Sequence, residues 1–144
     1  MTTVFDVAKY ILDKYGAMSA PRLQILLFYS QAMSLVWDDV PLFEVDFEAG
    51  KGSPVCRPLL NTYKGKFMLN DSNFLAPYAP DTSRLTNEQK ETINAVVDSL
   101  IDYPPYVLRN MVQDEKPWLD ARAKDCGRKV ISKTAMLDYY TEHW

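Results

Sequence analysis

A mainly α-helical fold, packed as one compact domain over residues 1–144 with a small β element near residues 42–56, is predicted by three observations. Apolar residues recur at helical spacing in segments opened by Ser or Thr and closed by Gly or Pro. One segment, Ala20 to Trp37, is apolar nearly all round, which places it at the centre of a helical bundle. Phe43, Val45 and Phe47 alternate with Glu44, Asp46 and Glu48, the period of a strand with one apolar and one acidic face.

The elements follow in order. Val4, Val7, Ala8, Ile11 and Leu12 define a first helix, with Thr3 and Asp6 spaced as a carboxylate variant of the capping box and Gly16 ending the run. Ser19 caps the central helix, and Pro21 sits in its first turn, where a missing N–H costs nothing. The acidic strand breaks at Gly50 and Gly52. From Pro54 to about Tyr63 a short helix is expected, with Val55, Leu59, Leu60 and Tyr63 facing inward. Lys64 to Ser83, punctuated by Gly65, Pro77 and Pro80, reads as a long loop of the kind that is either functional or mobile. Thr86 and Gln89 form a second capping box ahead of Ile93, Val96, Val97, Leu100 and Ile101. Pro104-Pro105 ends that helix and starts a shorter one with Val107, Leu108 and Met111. Lys116-Pro117-Trp118 opens another through Arg122, and Ser132 caps the last, carrying Ala135, Met136, Tyr139 and Tyr140. Leu26, Leu27, Val97 and Trp118 are expected to be deeply buried.

Composition narrows the function classes. A hydrophobic fraction of 47% and a charged fraction of 24% are those of a globular protein. A net charge of −3 supplies no global positive field, so no nucleic-acid partner is expected. Cys56 and Cys126 lie far apart without metal-ligand spacing and read as reduced, buried thiols of a cytoplasmic protein. The N-terminus reads as an amphipathic helix rather than a signal peptide. No apolar run approaches the roughly 20 residues that span a bilayer, so membrane insertion is not expected.

No catalytic constellation emerges. His143 is the sole histidine and the second-last residue, a poor platform for a nucleophile–base pair. Gly50-Lys51-Gly52-Ser53 lacks the spacing of a phosphate-binding loop. Glu44, Asp46 and Glu48, as same-face neighbours roughly 7 Å apart on a strand, are too widely set to chelate one ion. Neither a metal nor a cofactor is expected. The chain reads as a binding protein rather than an enzyme.

Residues 38 to 48 hold five acids and no base: Asp38, Asp39, Glu44, Asp46 and Glu48. Two readings stand. The acids form a solvated edge whose charges discourage aggregation, or they form a surface for a basic protein partner. On either reading the three strand acids face solvent, and neutralising them is expected to leave stability nearly unchanged. A basic stretch, Arg122, Lys124, Arg128, Lys129 and Lys133, reads as a solvated face. Trp37 is divided between core rim and interface anchor, and Tyr139, Tyr140 and Trp144 between packing and partner contact.

The order of the motifs points further. Leu23-Gln24-Ile25-Leu26-Leu27-Phe28-Tyr29-Ser30-Gln31 precedes Pro41-Leu42-Phe43, Phe47-Glu48-Ala49 and Ser53-Pro54-Val55. Leu85-Thr86 with Ile93 and Val96, then Pro117-Trp118 with Ala121-Arg122 and Ile131-Ser132, complete the series. This order resembles the Panacea domain, a family of SocA-like antitoxins and phage-associated proteins. The resemblance implies structural places for Leu26, Leu27, Pro54, Val55, Pro117, Trp118 and Arg122. It also implies a non-enzymatic protein-binding role, the neutralisation of a cognate toxin by direct contact. The alternative it implies is a phage or prophage effector that inhibits or redirects a host protein, including delivery to a protease. Four positions depart from the family pattern: Ile25 for its lysine, Gly50 for a tryptophan, Ser53 for a glycine and Gln113 for a histidine.

Overall fold

The computed structural model describes residues 2–125 and 127–144, so Cys126 lies outside the described residues. α1 (Val4–Tyr15) leads into a two-residue strand β1 (Met18–Ser19) and the long helix α2 (Ala20–Asp38). A hairpin follows, β2 (Phe47–Ala49) with β3 (Pro54–Val55), then one turn of helix α3 (Arg57–Leu60) and strand β4 (Met68–Leu69). Two 3-10 turns, Asn73–Tyr78 and Thr82–Arg84, lead to α4 (Asn87–Leu100), α5 (Pro105–Gln113) and α6 (Lys116–Arg122). Strand β5 (Val130–Ile131) and α7 (Lys133–His143) close the chain.

The fold is mainly α, as the periodicity predicts. Thr3 and Thr86 both make reciprocal capping boxes, and the Ser19 and Ser132 hydroxyls accept from the backbones of Arg22 and Ala135. Each cap satisfies N–H groups that have no carbonyl one turn back. α2 is the hub: α1, α4, α5 and α7 all pack on it, and its side chains from Leu23 to Leu35 are buried. Leu26, Leu27, Val97 and Trp118 lie in the core, as expected.

Three expectations are corrected. The predicted strand, running from about Leu42 to the break at Gly50, shrinks to Phe47–Ala49. The cause is Gln31, buried on α2, whose amide oxygen accepts from Leu42 N–H at 2.7 Å while its amide nitrogen donates to the Phe43 carbonyl at 2.7 Å. Backbone groups that a strand would offer to a neighbour are already paired to a side chain. The helix expected from Pro54 starts only at Arg57, because Pro54 and Val55 pair with Ala49 and Glu48. Gln24, seven residues before Gln31 and so on the same face of α2, holds the backbone of Cys56 at that junction.

The loop over Lys64–Ser83 is also more ordered than expected. β4 pairs with β1 antiparallel, Met18 opposite Leu69. At its far end the fully buried Asp6 accepts from the Asp81 N–H at 2.8 Å and from Arg84 at 3.0 Å, besides capping α1. In the second small sheet β2 lies between β3 and β5, with Phe47 opposite Ile131 and Glu48 opposite both Val55 and Val130.

Candidate functional site

The alternation at residues 43–48 holds in burial until its last member. Phe43 and Phe47 are buried in contact with each other, and Glu44 and Asp46 are exposed. Glu48 departs from the pattern. It is only 7% exposed, and its two carboxylate oxygens are taken by Arg57 Nε and Nη2 at 3.0 Å each and by Arg128 Nη2. These donors hold its pKa at about 2, well below the ordinary carboxylate range. Asp46 is paired with Lys133 at 2.9 Å, and Lys133 also donates to the Glu44 carbonyl. The basic stretch therefore folds back onto the acidic one. The expectation of three freely solvated acids is corrected, since the buried Glu48 carboxylate is held by two solvent-open arginines and Asp46 by an exposed ion pair.

Of the two remaining acids, Asp38 accepts from the Thr92 hydroxyl at 2.7 Å, and Asp39 ends α2 in the left-handed conformation with φ 62°. Trp37 projects beside them, 46% exposed. The Arg122 guanidinium donates to the Ala49 carbonyl at 3.1 Å and so braces α6 against the hairpin.

The C-terminal aromatics separate. Tyr140 is buried in an aromatic cluster with Phe28 and Tyr29, its hydroxyl donating to Glu115 at 2.6 Å. Its placement as a partner contact is corrected. Tyr29 donates to the same oxygen at 2.6 Å, yet the burial of Glu115 outweighs both hydrogen bonds and raises its pKa. Tyr139 is half-buried and stacks on His143 at 4.2 Å. Trp144 leans on Tyr29 and is still 48% exposed. Cys56 is fully buried, and that burial pushes its thiol up to about 11.

An exposed apolar surface that the sequence reading missed lies at the opposite end of α2 from Trp37, about 25 Å away along the helix at 1.5 Å rise per residue from Ala20 to Trp37. There Met18, Phe67, Met68, Ile101 and Pro105 line a groove of about 440 Å³. Phe67 is 67% exposed, and Tyr103 and Tyr106 project nearby. Arg22 ties this end together by donating to the carbonyls of Ile101 and Tyr103 at 2.7 Å each. Phe67 and Met68 sat in a segment without periodicity, so only their apolar character inside a polar loop could have marked them.

The departures from the family pattern are accommodated by packing. Ile25 is buried, where a lysine ammonium would have to be desolvated. A Cβ at Gly50 would stand 2.8 Å from the Val55 side chain and 2.9 Å from the Ser53 carbonyl, so this turn excludes a larger residue. Gln113 donates to the Gly52 carbonyl at 2.8 Å, linking α5 to the same turn.

These features define a helical protein with a stapled hairpin and an exposed apolar end. The sequence model of the family described as antitoxin SocA-like, Panacea domain, matches residues 23–119, well over half of the chain. The chain belongs to that family. The match runs from α2 to α6 and leaves α1, β1, β5 and α7 outside. No curated protein and no solved structure matches the chain. Among the described residues, no helix is long and apolar enough to cross a membrane.

Proposed function

We propose that this protein is a non-enzymatic, antitoxin-like binding module of the cytoplasm that neutralises a cognate toxin by direct contact. Family membership over residues 23–119 is the observation that carries this reading. The whole chain forms the unit: one hydrophobic cluster runs from Val4 to Tyr140 and includes helices on both sides of the matched span. The contact surface is the groove beside Phe67 and Met68. Exposed aromatics and methionine on ordered backbone provide desolvatable area, and such residues are favoured in interface cores. The internal pairing of Glu48 and Asp46 argues against the acidic segment as the main docking face.

The test is genetic and physical together. The product of the gene adjacent to this one, expressed alone, arrests growth, and co-expression of this chain restores it through a complex seen by size-exclusion chromatography. Phe67→Glu with Met68→Glu abolishes rescue while leaving the circular dichroism unchanged. Rescue that survives the double substitution would move the interface to the Trp37 end, and rescue without a complex would overturn direct neutralisation.

A further inference from the structure

The Glu48 ion pairs form one wall of a cleft whose charge is opposite to that of the whole protein. Five cationic side chains, Lys51, Arg57, Arg122, Arg128 and Lys129, line it against the single carboxylate of Glu48. They come from the hairpin turn, α3, α6 and the segment before β5, so folding gathers charges that lie far apart in the chain. The cleft measures about 410 Å³, enough for a compact ligand and too small for a duplex.

Three of its cations are held in place. Glu48 aims two guanidiniums by charge-assisted hydrogen bonds, and Arg122 is held by the Ala49 carbonyl. Much of each remains open, the Arg57 and Arg128 side chains being 54% and 65% exposed. A guanidinium has five N–H donors, so one carboxylate cannot saturate two of them. Ala49, Val55 and Leu60 supply an apolar floor beside the charges.

The geometry points to a binding site for a compact phosphate-bearing ligand of the pyrophosphate type. A pair of linked phosphates presents several negative charges over a few ångströms, more than a single carboxylate carries, and has enough oxygens to engage several planar guanidiniums in bidentate fashion at once. The site is independent of the proposed toxin-binding groove. It is built largely from Arg122, Arg128 and Lys129, which lie beyond the residues matched to the family. Glu48 has two opposed effects here: it orients the arginines and it repels the incoming anion.

The opposed effects give the test its sign. Pyrophosphate is titrated into the full chain and followed by calorimetry and by ³¹P line broadening, with orthophosphate and a poly-glutamate peptide as comparison ligands. Wild type binds pyrophosphate in preference to both, and affinity falls as salt rises. Arg128→Gln and Lys51→Gln each weaken binding, the arginine change by ~10-fold for the loss of a charge-assisted contact. Lys64→Gln, exposed on a loop outside the cleft, changes nothing. Glu48→Gln tightens binding by at least about threefold, because it removes a negative charge while retaining an oxygen acceptor for the arginines. No binding above that of orthophosphate would overturn the assignment, as would equal losses in Lys64→Gln and Arg128→Gln. Weaker binding by a folded Glu48→Gln variant would also overturn it. Tighter binding of the acidic peptide than of pyrophosphate would reassign the cleft to a protein segment.

Discussion

Gln24 and Cys56 are joined twice: the Cys56 N–H donates to the Gln24 amide oxygen at 2.9 Å, and the Gln24 amide nitrogen reaches the Cys56 carbonyl at 3.4 Å. The same nitrogen lies 3.0 Å from the Tyr63 hydroxyl. Gln24 is 1% exposed, so no water replaces these partners. Gln24→Leu keeps the volume and orphans a buried backbone N–H. It should lower the unfolding free energy by roughly 2–4 kcal/mol, the cost of one or two unsatisfied buried groups. Urea denaturation with an unmoved midpoint would show that the hairpin junction does not depend on this amide.

Trp118 follows Pro117 in α6 and is 6% exposed. Trp118→Ala should cost about 3–5 kcal/mol, the range for deleting a large buried aromatic. A smaller loss, below about 1 kcal/mol, would place the residue outside the core.

Glu48 makes stability depend on acid. Its folded pKa, about 2, lies below the ordinary carboxylate value of 4.5. Its contribution is therefore complete above the unfolded value and is lost as pH falls through the folded one. Wild-type thermal stability should fall more steeply than that of Glu48→Gln between those two pH values. Near neutrality the variant should be less stable by roughly 1–3 kcal/mol, since it weakens a charge-assisted pair. Parallel curves would mean that the arginines do not hold the carboxylate in solution.

Glu115 has the opposite sign. Burial raises its folded pKa above the unfolded value, so the fold holds its proton more tightly than the open chain does. Stability attributable to this group is greatest at low pH and declines as pH rises through that interval. Glu115→Gln, which resembles the protonated form, should be at least as stable as wild type at pH 8 and should show a flatter pH dependence. Melting temperatures across pH 4 to 8 decide it. A clear loss of stability at pH 8 would show that the two tyrosines favour the carboxylate.

The helices were legible in the sequence because their signals are local. Thr3, Ser19, Thr86 and Ser132 sit within three residues of the backbone groups they cap. The uniformly apolar α2 announced its central position without help from any neighbour. What escaped was set by partners remote in the chain. Arg128 is 80 residues from Glu48, and nothing in the alternation of residues 43–48 tells which acid it will meet. Strands of two residues, such as β1 and β4, are too short to show a period of two. Phe67 belongs to the same class. Its exposure follows from pairing between segments fifty residues apart, so a short-range pattern had no means of revealing it.

α2 holds the two flanks of the hairpin from within, through two buried glutamines whose bonds to Leu42, Phe43 and Cys56 run to backbone atoms. Main-chain atoms are common to every amino acid, apart from the missing N–H of proline. Outward-facing positions on the segments so held can therefore change identity without disturbing what anchors them. Natural selection acting on such a scaffold can alter recognition and architecture separately. A lineage of these proteins is free to change its surface while each descendant still folds the same way.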